Sequence, residues 1–82
     1  MASEMTKLRT WEKTKPIRGR SSDTWRRDDQ GNILRWGSYG TTGEYGWEID
    51  HIKPKAKGGS DKPVNLRALH WEINRKKQDK YR

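Results

Sequence analysis

Tryptophan sets the terms on which this chain can fold: its 82 residues include five Trp and three Tyr but no Phe and no Cys, and only 28% of them are hydrophobic. A chain of this length buries about 60% of the surface it exposes when unfolded. With so few aliphatic side chains, each indole must carry an unusual share of that burial. Cores this thin are usually reinforced by disulfides or a structural metal. The absence of Cys removes both the disulfide framework and the thiolate zinc site, so no structural zinc is expected. One small domain follows, with the cytoplasm as its expected location. No apolar run approaches the roughly 20 residues of a membrane span, and the N-terminus lacks the apolar segment of a signal peptide.

Charge points to the partner. Nineteen Lys and Arg against eleven Asp and Glu give a net charge of +8 and a pI near 10.1. That is the footprint of a protein that meets a polyanion, and nucleic acid is favoured. A membrane surface is not expected as partner, because no segment joins a basic face to a broad apolar one.

Residues 1–23 mix Lys, Arg, Ser, Thr and Pro with single apolar residues at no clear period. They read as a flexible, partly disordered basic arm with at most one short helix, tacked to the body by Trp11. Residues 24–82 form the domain. Within it, 24–36 read as a β-hairpin turning at Asp29-Gln30-Gly31-Asn32. Residues 37–46, with four Gly and two Tyr, read as a loop. A strand from Trp47 to Ile52 is stopped by Pro54; a turn at 57–61, a short strand from Leu66 to Leu69 and a helix from Trp71 to Lys80 follow. The class is α+β. Trp47, Ile49, Leu66, Leu69 and Ile73 are the expected core. Trp25, Trp36, Trp47 and Trp71 either pack inside or stack on exposed bases.

The segment 47–80 also carries an ordered set of polar residues. Asp50-His51 closes the first strand, Gly58-Gly59 lies in the connection, Asn65-Leu66 opens the second strand, and Asn74-Arg75-Lys76-Lys77 lies on the helix. His51, Asn65 and Asn74 follow one another at intervals of 14 and 9 residues. This set resembles the HNH endonucleases, and the final Asn makes it an HNN variant. The upstream pattern, Trp25-Arg26-Arg27-Asp28 through Gly31-Asn32 to Tyr39-Gly40 and Gly46-Trp47, resembles small bacterial and phage members of that family.

The resemblance implies a ββα-metal fold, in which two antiparallel strands and a helix hold a metal and a scissile phosphate between them. It makes His51 the general base; an imidazole, with a reference pKa of about 6.5, is suited to take a proton from water near neutral pH. Asn65 becomes the residue that braces the connection and orients the base. Asp50 and Asn74 become ligands of one divalent metal ion, with Gln78, one turn beyond Asn74, as a further candidate. Their oxygen donors favour Mg²⁺ or Mn²⁺, with Zn²⁺ or Ni²⁺ possible. Strand alternation puts Asp50 and His51 on opposite sides, so both address one phosphate only if the strand ends and twists there. His70 reads as a packing or phosphate-facing residue.

The function implied is metal-dependent hydrolysis of phosphodiester bonds in DNA. Lys53, Lys55, Arg75, Lys76, Lys77 and Lys80 would grip mostly the backbone. One motif offers one active site and nicks one strand; a monomer or a homodimer are both compatible, and a phage packaging partner or other protein partner is conceivable. The main rival is a basic nucleic-acid-binding module that keeps the fold without the chemistry. A third reading is a structural adaptor of a phage particle.

Overall fold

The computed structural model describes residues 3–79, and Lys80 therefore lies outside the described residues. Its elements are α1 (Glu4–Glu12), β1 (Lys15–Pro16), β2 (Trp25–Arg27), β3 (Ile33–Arg35), β4 (Trp47–His51), β5 (Leu66–His70) and α2 (Trp71–Asp79). Strands β1, β2 and β3 make one antiparallel sheet; β4 and β5 make a second. The second sheet and α2 form the ββα unit that the resemblance implies. Among the described residues no helix is long and apolar enough to cross a membrane.

Helix α1 begins where Ser3 Oγ accepts the Thr6 amide, with Glu4 in its first turn complementing the positive end of the helix dipole. It buries Thr10 and Trp11 against the body. Lys13, just beyond its end, donates from its ammonium to the carbonyls of Pro63 and Leu66, which ties the helix to the start of β5. The segment read as an arm thus carries a nine-residue helix and a strand that pairs with β2.

Three indoles make the centre. Trp11 lies 5.2 Å from Trp47 and 5.5 Å from Trp36 between ring centroids, and Leu34 and Ala68 fill the space around them. Each buried N–H is satisfied: Trp11 Nε1 donates to Ser22 O (3.0 Å) and Trp47 Nε1 to Arg35 O (2.9 Å). Leu66 and Leu69 are buried as expected, whereas Ile49 and Ile73 are half-buried. Trp11, expected to tack an arm, occupies the position that an aliphatic cluster would fill in a richer chain.

One buried carboxylate joins the two sheets. Asp28 Oδ1 accepts the amides of Gln30 (3.0 Å) and Asn32 (2.8 Å), closing the β2–β3 turn, while Oδ2 accepts the His70 amide at the end of β5 (2.9 Å). His70 itself is buried; its Nδ1 accepts the Glu72 amide (3.2 Å) and so caps α2, and its Nε2 bonds to Glu44 O (2.8 Å). Of the two roles expected for His70, it takes packing. The loop from 37 to 46 returns tightly to β4. A Cβ on Gly46 would sit 2.0 Å from Thr41 O, so only glycine permits that approach.

Candidate active site

Alternation along β4 divides its side chains. Trp47 joins the indole cluster, while Glu48 and Asp50 turn to α2. There Asn74 Nδ2 donates to Glu48 Oε1 (2.9 Å) and Arg75 to Glu48 Oε2 (3.2 Å), and one turn later Lys77 Nζ reaches both oxygens of Asp50 (2.9 Å each). Cross-strand register sets Arg67 opposite Asp50, and its Nε donates to Asp50 Oδ2 at 2.8 Å. Arg67 also pairs with Asp29 in the hairpin turn (2.8 Å).

Asp50 is only 4% exposed, and a buried carboxylate needs such partners. The Lys77 ammonium further donates to the carbonyls of His51 (2.6 Å) and Ile52 (3.2 Å). In the free chain Lys77 is therefore held in the interior of the site, unlike the exposed Lys76 expected to contact DNA beside it. The reason is its place three residues after Asn74, on the helix face that meets β4.

Asn74 is buried beside Glu48, and its Oδ1 has no hydrogen-bond partner among the described residues. An orphaned buried carbonyl oxygen costs roughly 1–3 kcal/mol, which makes it a donor open to a ligand. Gln78 is exposed one turn beyond.

His51 stands half-buried at the end of β4. Its Nε2 lies 2.7 Å from Asp61 Oδ1, and Lys55 Nζ holds the other oxygen of that carboxylate at 3.1 Å. The His51 hydrogen bond first, and Lys55 second, keep the Asp61 carboxyl below the ordinary carboxylate range. An ionised carboxylate accepts and never donates, so Nε2 carries the proton and Nδ1 of the neutral ring is an acceptor. Among the described residues nothing bonds to Nδ1.

Asn65 clasps the connection between the strands. Its Oδ1 accepts the Lys53 amide (2.8 Å), and its Nδ2 donates to the carbonyls of Lys53 (3.0 Å) and Ser60 (2.7 Å). Gly59 makes the clasp feasible, since a Cβ there would lie 1.7 Å from Lys53 O. The strand end that bears His51 and the loop that bears Asp61 are thereby fixed to one another.

Two clefts meet at this point. The larger, about 1210 Å³ and open, is bordered by His51, Asn74, Gln78, Glu48 and Tyr39; a smaller one, about 220 Å³, is bordered by Asp50, His51, Lys77 and Gln78. The structure thus brings His51, Asn74 and Gln78 to one cleft and leaves Asp50 on its neighbour. Of the other basic candidates, Lys53, Lys55 and Lys76 are exposed, and Arg75 is exposed while pairing with Glu48 and lying over the Trp71 ring. Sequence reasoning missed Glu48, Asp61 and Arg67. Alternation from Asp50 would have found Glu48. Asp61 was read as part of a turn, and a turn residue gives no sign of which side chain it will meet.

A divalent ion meets mixed terms here. The orphaned Asn74 Oδ1 fits a ligand, and the two Asp50 oxygens with the carbonyls of His51 and Ile52 form an oxygen cradle suited to a cation. That cradle already holds a cation, the Lys77 ammonium. Among the described residues no group of three or more His, Asp or Glu side chains gathers to hold a metal. Asn74 Oδ1 and the Asp50 oxygens are thus donors of the kind an oxygen-ligated ion takes, but they border different clefts and Lys77 occupies the Asp50 cradle.

The HNH endonuclease family model matches residues 38–80, just over half of the chain, a span that holds Asp50, His51, Asn65, Asn74 and Lys77. The chain belongs to the HNH endonuclease family. Membership implies nuclease activity in general and a nucleic-acid substrate, and HNH nucleases generally use a divalent metal. Among the described residues, the two antiparallel sheets and two α-helices of this HNH protein agree with a small ββα domain. Neither a search of curated proteins nor one of solved structures returned a significant match.

Proposed function

We propose that this HNH protein is a DNA endonuclease in which His51 is the general base. The observation that carries the reading is the His51 ring, which borders both clefts, with Nε2 paired to Asp61 and no partner on Nδ1 among the described residues. His51 Nδ1 takes a proton from a water molecule, the resulting hydroxide bonds to phosphorus, and the bond from phosphorus to the leaving 3′ oxygen breaks. The 3′ oxygen is protonated by solvent, and the imidazolium returns its proton to bulk water. A divalent ion held by Asp50 and Asn74 would polarise the phosphate and stabilise the charge on the leaving oxygen. Mg²⁺ or Mn²⁺ suits those oxygen donors best.

The larger cleft exceeds the roughly 300–1,000 Å³ of small-ligand pockets and is open, which suits a length of polymer backbone. Lys55 and Arg75 border it, and with the exposed Lys53 and Lys76 they would serve as backbone contacts. One site nicks one strand; double-strand cleavage needs a second event or a second copy of the chain. In a nicking assay on supercoiled plasmid with Mg²⁺ or Mn²⁺, His51→Ala is expected to lower the rate about 10²–10⁴-fold while DNA affinity is kept. An unchanged rate refutes the role given to His51.

One observation favours a second reading. Asp50 is already neutralised by Lys77 and Arg67, as in a module that binds nucleic acid without cutting it. DNA binding with no nicking in Mg²⁺, Mn²⁺ or EDTA would decide for that module.

A further inference from the structure

We infer that Asp61 is the positioning residue for His51, selecting the ring tautomer and fixing the ring plane so that Nδ1 faces the cleft. The inference rests on His51 being the base. Which ring nitrogen of a histidine carries the proton is set by the partner of the other. At His51 that partner is a carboxylate oxygen 2.7 Å from Nε2.

The arrangement is built rather than incidental in three respects. First, the carboxylate is itself held from its other side, by Lys55 Nζ at 3.1 Å, so the Asp61 oxygens are not free to turn. Second, Asn65 Nδ2 donates to Ser60 O (2.7 Å), the carbonyl immediately before Asp61, while the same Asn65 side chain holds both the amide and the carbonyl of Lys53, two residues beyond His51. One amide thus sets the spacing between the base and its partner. Third, the close approach of Gly59 to Lys53 O locks the loop against the strand end. Asn65 accordingly acts on the chemistry through Asp61 as well as through the backbone.

The geometry dictates what each substitution does. Asp61→Ala removes the acceptor, so the neutral ring is free to place its proton on either nitrogen and to rotate. Asp61→Asn keeps an oxygen that accepts from Nε2 and therefore keeps the tautomer while losing the charge. Asp61 is exposed and outside the core, so both variants are expected to fold.

The test measures the His51 tautomer by ¹⁵N NMR on the full chain at a pH where the ring is neutral, together with kcat and KM for plasmid nicking. The wild type is expected to show Nε2 protonated and Nδ1 unprotonated. Asp61→Ala is expected to give a mixture of tautomers and a kcat about 10–100-fold lower, the usual effect of losing a group that orients a functional histidine, with KM unchanged. Asp61→Asn is expected to keep the wild-type tautomer and recover most of kcat. An unchanged tautomer in Asp61→Ala, or a wild-type kcat in that variant, overturns the inference. If the wild-type protein nicks nothing, the nuclease reading fails, and the tautomer comparison still decides whether Asp61 positions the ring.

Discussion

Lys77 and Asp50 pose the sharpest question at the scale of single residues. Lys77 is one of four basic residues at 75, 76, 77 and 80, and in the sequence nothing distinguishes it from its neighbours. Among the described residues it is the one whose ammonium lies among four oxygens of the strand end. Removing one partner of a buried charge exposes the cost of the charge left behind. Lys77→Met is therefore expected to lower stability by about 1.5–3 kcal/mol in EDTA, with Arg67 still in place to limit the loss. The same variant should bind Mn²⁺ more tightly than the wild type, because the ion no longer competes with an ammonium. Urea denaturation and isothermal titration check the two halves, and a wild-type Mn²⁺ affinity in Lys77→Met would remove Lys77 as competitor. His51, Asn65 and Asn74 were legible at this scale because the motif fixes their order and spacing. Asp61 was not, because its partner lies 10 residues away across a connection whose path only folding defines.

Among the elements, α1 is the short helix expected within residues 1–23, but its Trp11 lies at the centre of the core. It holds just three apolar residues, Met5, Leu8 and Trp11; Met5 and Leu8 end exposed and Trp11 alone reaches the centre. Such a helix gives almost no periodic signal. It forms because one indole packs against two others and because Lys13 pins the following turn to β5. Trp11→Ala is thus expected to cost about 3–5 kcal/mol, a large share of what so small a domain has to lose. Thermal unfolding followed by circular dichroism checks it; a loss below 1 kcal/mol would show that α1 is peripheral to the core. The hairpin and the ββα unit were legible because turn residues and strand runs mark them locally. The pinning of one to the other by Asp28 was not, since Asp28 and His70 stand 42 residues apart.

For the whole molecule, the excess of positive charge predicts how binding responds to salt. Each phosphate neutralised contributes a slope of about −0.9 in log K against log salt. Lys76→Ala and Lys53→Ala are each expected to reduce that slope by up to about 0.9 in a DNA-binding titration, since both side chains are exposed. Lys77→Ala is expected to change it less, because its ammonium is held by Asp50 in the free protein. An equal change in all three would mean that Lys77 leaves Asp50 for DNA. Net charge is a sum over the sequence and survives folding unchanged. Which of the charges faces a partner is a matter of tertiary pairing.

Composition and local spacing by themselves determined the class of fold, the reliance on indoles, the polyanionic partner and the order of the motif residues, since each depends on residue type and short-range separation. Tertiary structure alone decided that Trp11 is the centre of the core, that Asp50 rests against Lys77 and Arg67, and that Asp61 meets His51. Those outcomes turn on which distant segments pack together, and the energies of burial and charge pairing that select them exist only once the chain has closed on itself.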